Sequence, residues 1–435
     1  MRVLIFGLGI LGGGFASASY FLNRGHELTI TDLRSEKELG EPLQILKQKG
    51  AKVVCSKHRE IDFEWADLVI KNPAIDPNSP YLALAKNVST DISFLLSSPL
   101  IENIKVVAVS GTKGKTTTVA AVTHILNESG HEALQFGNMG ISGFTILEEL
   151  ELRKTNNLNF PEYLVCELSS WQIRDFYNSN REQKNFQFKL VALTSLFADH
   201  LNTYSDYQAY KDDKWLLLTS SKQRVIVPQD VMGEFENKKA LKSIESFSGV
   251  DSVEQRFRPT WAICKSLALG SKQITKALNT FRGVPHRQEQ LGIVGNLVFI
   301  NDSSATIPEA VAFTSLNLVW PFHLICGGAD KNLSVKGMAE TLKNAQHIHL
   351  LDGTFTTDKL IPYLAENNIS YSGPFKSMKA AFNSALKMAL ESTKIHRTVA
   401  VLLSPGAASF GLFSNEFDRG EQFRELYKKL SESSS

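Results

Sequence analysis

The 435-residue chain is 43% hydrophobic and 21% charged, a globular composition with length for about three domains. Lys and Arg number 47 against 45 Asp and Glu, so the formal charge is +2 and no broad field of one sign draws the chain onto nucleic acid or anionic lipid. Neither is expected as a partner, and any anionic ligand must be met by local sites.

The run RVLIFG (2–7) reads as a buried strand, Phe15, Ala18 and Leu22 recur at helical spacing, and ELTITD (27–32) reads as a second strand, which together make a βαβ opening. The stretch 3–22 carries no charge and follows Arg2, as a secretory leader would. Gly7, Gly9, Gly12, Gly13 and Gly14 would weaken such a helix, however, and suit a strand-to-helix turn beside a phosphate. The chain is therefore read as unprocessed and cytoplasmic. Cys55, Cys166, Cys264 and Cys326 are far apart, without metal-ligand spacing, and are read as buried thiols of a reducing compartment. Strands follow at KVVC (52–55) and DLVIKN (67–72), and Ser97, Ser98 and Pro99 punctuate the end of a first domain, 1–98.

A second domain, 99–283, opens on the apolar strand IKVVAVS (104–110), the loop GTKGKTTT (111–118) and a helix ending near Gly130. Further strands are expected at 163–167, 190–195 and 224–228, and surface loops at 151–159, 178–185 and 233–257. A third domain, 284–435, has strands at 297–302, 322–328, 347–351 and 398–405 with helical segments between them. Strands alternating with helices give an α/β fold: an N-terminal Rossmann-like domain, a central P-loop ATPase-like parallel sheet and a C-terminal Rossmann-like domain.

Gly7 to Gly12, GLGILG, matches G-x-G-x-x-G between a strand and a helix, and Asp32 stands 20 residues after Gly12 at the next strand end. The residues fit a dinucleotide, a UDP-sugar or glycines kept for helix–strand packing alone. In the second loop, Gly111, Thr112, Lys113, Gly114, Lys115, Thr116 and Thr117 lie between a strand and a helix, where backbone N–H groups and Lys115 can surround ATP phosphates and Thr116 can offer its hydroxyl to magnesium. Val109 occupies the first glycine position of the full Walker pattern. Glu167, at a strand end in the same domain, is either a magnesium ligand or a helix-capping carboxylate. Lys214 reads as a solvated helical charge, and His200 as a structural histidine, when spacing alone is considered.

GTKGKTT, GNMG, ELSSWQI, DHLN, YKDDK, VPHR, NDSSAT, GGADK and LSPGAASFGLF occur in this order over nearly the whole chain. Jointly they resemble the motifs of the Mur ligase family. Resemblance implies UDP binding by the first domain (Gly7, Gly9, Asp32 and Arg34, with Asn138), ATP binding by the second, and closure by the third. The implied substrates are UDP-N-acetylmuramoyl-L-alanine, D-glutamate and ATP, with two Mg2+ ions held by Thr116, Glu167, His200 and Lys214 as its carbamate. Arg287 and Asp302 would meet the nucleotide. Lys331 would meet the developing negative charge, and Lys331, Ser409 and Phe417 the amino acid. A Gly-Gly turn before Lys331 independently favours exposure at a sheet's C-terminal edge.

The chain departs from the family pattern with Lys113 in place of Asn, Ala74 of Gly, Ser304 of Lys, Arg258 near the adenine-contacting Asn, and Glu416 where a Phe is usual. A monomeric ATP-dependent amide-forming ligase is the expected function. The alternatives are another ligase of the family, adding L-alanine or extending folate with glutamate, an ATP-binding regulatory relative, and a dehydrogenase, which leaves the second loop and third domain without work.

Overall fold

The computed structural model describes residues 1–9, 12–138, 140–178, 186–197, 204, 206–220, 224–233, 244–247, 253–316, 318–331 and 333–433. Three sheets follow one another along the chain, so the architecture is the three-domain α/β arrangement expected. The first comprises β1 (Arg2–Phe6), β2 (Glu27–Asp32), β3 (Lys52–Cys55), β4 (Leu68–Lys71) and β5 (Val88–Ser89), all parallel in the order β3-β2-β1-β4-β5. The chain reverses direction of winding beside β1, and the first glycine loop leaves the end of that strand. Such a switch point opens a crevice at the strands' C-terminal edge.

The second sheet comprises β6 (Lys105–Ser110), β7 (Ala133–Gly137), β8 (Tyr163–Glu167), β9 (Leu190–Leu193), β10 (Arg224–Pro228) and β11 (Ile244–Phe247). Its order is β11-β10-β9-β6-β8-β7, again wholly parallel. Helix Lys115–Glu128 buries Val119, Val122, Ile125 and Leu126 against Val107, Val109 and Val165. The spacing of those apolar positions explains why this stretch is helical and which face it hides.

The third sheet comprises β12 (Glu289–Val294), β13 (Leu297–Asn301), β14 (Phe322–Cys326), β15 (His347–Leu351), β16 (Tyr371–Phe375) and β17 (Val399–Leu403), ordered β12-β13-β17-β14-β15-β16. Only the β12–β13 pair is antiparallel among the described residues, a hairpin turning through Gly295. Apolar clusters cover both faces of this sheet.

Two corrections concern the segments read as surface loops. Residues 151–155 continue helix Gly143–Thr155, and β11 lies within 233–257. The residues 179–185 fall outside the described ones. Cys166, Cys264 and Cys326 are buried thiols, as expected, but Cys55 on an outer strand is only half-buried. No helix among the described residues is long and apolar enough to cross a membrane.

The chain forms two compact units, one holding the first and second sheets and the other the third. Within the first unit, Tyr20, Phe21, Phe94 and Phe144 pack edge-on and tilted, joining helix Gly13–Asn23 to helix Gly143–Thr155. Asp91 accepts from Ser142 Oγ and Gly143 N at 2.9 and 3.0 Å. A buried ion pair, Lys71 Nζ to Asp175 Oδ2 at 2.7 Å, adds a third tie. Burial pushes the Lys71 ammonium down and the Asp175 carboxyl up, and each partner opposes the shift of the other.

Candidate active site

The glycines of the first loop divide by physical role. Gly7 and Gly9 have φ of +86° and +65°, which L side chains rarely adopt, whereas a Cβ on Gly14 would stand 2.1 Å from the Leu8 carbonyl oxygen. The first two shape the loop; the last lets helix and strand approach. Asp32 is buried and braces this turn: Oδ2 accepts from Gly9 N at 3.0 Å, and Oδ1 accepts from Arg34 N at 2.9 Å. Arg34 reaches the same carboxylate at 3.4 Å with a half-exposed guanidinium. Ile10 and Leu11, within the motif, lie outside the described residues.

The second loop leaves the end of β6. Gly111 has φ +142°, and a Cβ there would meet Thr194 Oγ1 at 2.1 Å. Gly114, left-handed with φ +84°, is the N-cap of helix Lys115–Glu128. The N-terminus of that helix, with its first-turn N–H groups, faces the loop, the arrangement by which helix N-termini favour anions. Lys115 folds over it, with Nζ donating to the Gly111 and Thr112 carbonyls at 2.9 and 3.1 Å. Thr116 is buried in the first turn.

A second turn, after β9, supports the loop and was not anticipated. Thr194 Oγ1 donates to the Lys113 carbonyl at 2.5 Å, Lys113 N donates to Ser195 Oγ at 2.9 Å, and Tyr210 OH donates to Thr112 Oγ1 at 3.1 Å. The available signal was the Thr-Ser pair closing LVALTS beside the loop-bearing strand, but pairing of β9 with β6 is a tertiary fact.

Glu167 pairs in register with Val109, two residues before Gly111, and is 1% exposed. Its Oε1 accepts from Asn138 Nδ2 at 3.2 Å, while Oε2 is buried without a hydrogen-bond partner. Leaving a carboxylate oxygen in that condition is costly unless a cation or donor meets it. Asn138 is held by its own N–H on the Glu167 carbonyl, so the two residues form one corner of the site.

Lys214 lies on helix Tyr207–Ser220 and is 2% exposed, which overturns its reading as a solvated surface charge. Nζ donates to the Gly111 carbonyl at 3.1 Å, lies 3.4 Å from Ser110 Oγ, and stands 4.6 Å from the centre of the Tyr210 ring. Ser110 Oγ in turn donates to the Leu168 carbonyl at 2.8 Å, next to Glu167. Lys115, Lys214 and Glu167 therefore converge on the Gly111 loop. Asp199 and His200 lie outside the described residues.

In the second unit, Asp302 is buried and satisfied from within: Thr314 Oγ1 and Ser404 Oγ donate to Oδ2 at 2.5 and 2.9 Å, and Gln288 N donates to Oδ1 at 3.1 Å. Burial raises its carboxyl to about 6 against the pull of these bonds. Arg287, half-buried, follows His286 in the same turn. Lys331 Nζ donates to Thr306 Oγ1 at 3.1 Å, Ser409 is buried, and Phe417 is 40% exposed with its ring 6.0 Å from that of His286. Arg419, wholly buried, holds the region together by donating to Ser303 Oγ, the Ser303 carbonyl and the Ala407 carbonyl.

Residues 109–259 match the Mur ligase middle domain. The chain is 31% identical to the UDP-N-acetylmuramoylalanine–D-glutamate ligase of Borreliella afzelii, over 99% of this chain and 98% of that protein. It is 29% identical to the Roseiflexus enzyme of the same name, over 99% of each. Among solved structures, a UDP-N-acetylmuramate-alanine ligase from Thermotoga maritima matches with a TM-score of 0.58 at 16% identity, covering 99% of both chains. The MurF structure from Acinetobacter baumannii matches with a TM-score of 0.54 at 15% identity, covering 99% of this chain and 93% of that one. These structural likenesses establish the fold.

Proposed function

The chain belongs to the Mur ligase family, and on that premise we propose that it joins D-glutamate to UDP-N-acetylmuramoyl-L-alanine in the cytoplasm, using ATP and releasing ADP and phosphate, as a step of peptidoglycan precursor synthesis. The substrates are those named for its relatives, and we take the working form to be a monomer. The observation that carries the reaction class is the buried Glu167 oxygen without a partner, set beside a glycine–lysine loop with two lysines on one carbonyl.

The chemistry follows from these residues. A carboxylate of the precursor attacks the γ-phosphorus of ATP, the bond to the β-phosphate oxygen breaks, and ADP departs, leaving an acyl phosphate. The amine of D-glutamate then attacks the acyl carbon, the C–N bond forms, and phosphate leaves with the acyl C–O bond broken. Two anions must be crowded together in the first step. Loop N–H groups and Lys115 bind the phosphates and offset that charge. The donor set fits magnesium: Glu167 Oε2 is a buried hard oxygen without a hydrogen-bond partner, and Thr116 offers a hydroxyl in the first turn of the loop helix. Bound there, magnesium would neutralise charge on the phosphate oxygens. Lys214 is assigned to the same corner as a carbamate, and His200 beside it, both through the family motifs.

Asp32 serves this reading as the brace of the UDP-side loop, with Gly7, Gly9, Arg34 and Asn138 assigned to the precursor. Arg287 and Asp302 are assigned to ATP, and Lys331, Ser409 and Phe417 to the amino acid. Phosphate release with ATP and UDP-N-acetylmuramoyl-L-alanine, compared across D-glutamate, L-glutamate, L-alanine and glycine, tests the proposal. D-Glutamate alone should support sustained release. Equal release without any amino acid would replace synthesis by a regulatory ATPase.

A further inference from the structure

The first compact unit carries both glycine-rich loops, and a series of two ion pairs, joined by chain-neighbouring residues, runs from one to the other. Asn72 begins it: a Cβ on Gly7 or Gly9 would lie 3.1 Å from Asn72 side-chain atoms, so the first loop rests on this residue. Lys71, the preceding residue at the end of β4, lies 3.4 Å from the Asn72 carbonyl and 2.7 Å from Asp175 Oδ2. Asp175 sits on helix Ser170–Asn178 beside Arg174, whose Nε donates to Asp213 Oδ1 at 2.8 Å. Asp213 precedes Lys214, and Lys214 Nζ returns to the carbonyl of Gly111 in the second loop.

Stability does not explain this arrangement. A buried ion pair recovers little more than its desolvation cost, and apolar side chains of similar volume hold two elements together as well or better. Oriented charges do something apolar packing does not, because they specify one geometry and penalise sliding. Asp213 and Lys214 are neighbours on one helix and point about 100° apart around its axis. Fixing Asp213 on Arg174 therefore sets the rotation that presents Lys214 to the Gly111 loop.

We propose that Lys71–Asp175 and Arg174–Asp213 are paired positioning residues that couple occupancy of the first glycine loop to occupancy of the second, so that the precursor and the nucleotide each raise the affinity of the other. The inference rests on the reading that the two loops bind two different ligands. By linkage the coupling is reciprocal and can be measured from either side.

Calorimetry of UDP-N-acetylmuramoyl-L-alanine, with and without a saturating non-hydrolysable ATP analogue and magnesium, reads the coupling directly. In the wild-type protein the analogue should tighten precursor binding by about fivefold or more. In Lys71→Met/Asp175→Leu, which removes both charges and strands neither, that factor should fall below about twofold while each ligand alone binds within about twofold of wild type. Asp213→Asn, nearly isosteric, is the second variant and should lower the factor in the same direction. A merely structural pair would change stability and leave the factor alone. Full coupling in either folded variant, or its absence from the wild type, overturns the inference. Failure of the wild type to bind the precursor at all would instead overturn the functional reading beneath it, and the inference with it.

Discussion

Acidification should loosen the C-terminal sheet through two histidines that have no part in the proposed chemistry. His323 on β14 and His349 on β15 are buried, and their ring nitrogens meet at 3.3 Å. Ser392 Oγ contacts the Met388 carbonyl and, as acceptor, His323 Nε2; His349 Nδ1 lies 3.0 Å from Ser384 Oγ. With both rings neutral and protonated at Nε2, each nitrogen has a role: Ser384 donates to His349, His349 to His323, and His323 to Ser392. An added proton must break a link in this chain. Burial depresses His323 to about 4 and His349 to about 3, against about 6.5 in an unfolded chain. The unfolded state therefore binds protons first, and stability present above pH 6.5 is lost as pH falls from there toward the folded values. At pH 5 the loss is about 2 kcal/mol for each ring, or about 4 kcal/mol for the two. Asp302 works in the opposite sense, because its carboxyl is raised to about 6 and folding gains about 1 kcal/mol between that value and pH 5. The net loss is about 3 kcal/mol, which is roughly a hundredfold in the opening equilibrium. Hydrogen exchange of the β14 and β15 amides, corrected for intrinsic rates, should show this fall in protection between pH 7.5 and 5. In His323→Gln/His349→Gln most of the fall should disappear, leaving the opposed contributions of His347, which burial also lowers, and Asp302. Unchanged protection in the wild type, or an equal loss in the double variant, would refute the reasoning.

Glu167→Gln keeps the size and the Asn138 contact but removes the anion, so ADP formation should drop about a hundredfold or more and half-saturation by magnesium should rise, as a metal titration of the rate would show. Lys214→Ala should be nearly inactive and partly rescued by acetate, which supplies the missing oxygens, whereas Lys214→Arg should not be rescued because its charge is permanent. Wild-type turnover of Lys214→Ala without acetate would remove this buried lysine from the mechanism. Gly137→Ala places a Cβ 2.1 Å from the Glu167 carbonyl oxygen at φ +109°, so it should destabilise the first unit by about 1–3 kcal/mol and disturb the Glu167 corner. Thermal denaturation checks the first effect, and loss of magnesium-dependent turnover the second.

Of the seventeen strands among the described residues, twelve were legible as apolar runs, and the five that were not share a position. β5, β7, β11, β12 and β16 all lie at sheet edges. A central strand of a parallel sheet has neighbours on both sides and cover on both faces, so it reads as a continuous run such as KVVAVS. An edge strand needs less apolar surface, and sequences such as EQLGIV or YSGPF can pair there despite glycine or proline. The phosphate-type loops were legible for a different reason, because left-handed backbone and close approach demand glycine at fixed offsets.

What the sequence by itself determined was therefore local: the buried strands, the glycine turns, and the acidic and basic residues at strand ends that bear the family motifs. The surroundings of each charge were decided by tertiary structure. Lys214 has the sequence context of a solvated helical lysine and becomes a loop contact only because helix Tyr207–Ser220 lies against the end of β6. Asp32, legible as a carboxylate at a strand end, proves to be engaged by Gly9 and Arg34 backbone N–H groups, and Asp302 by two hydroxyls and an amide. Glu167 shows the converse, since one of its buried oxygens has no hydrogen-bond partner. Solvation and hydrogen bonding set what an ionisable group can do, and both depend on partners distant in the chain, which a linear pattern does not specify.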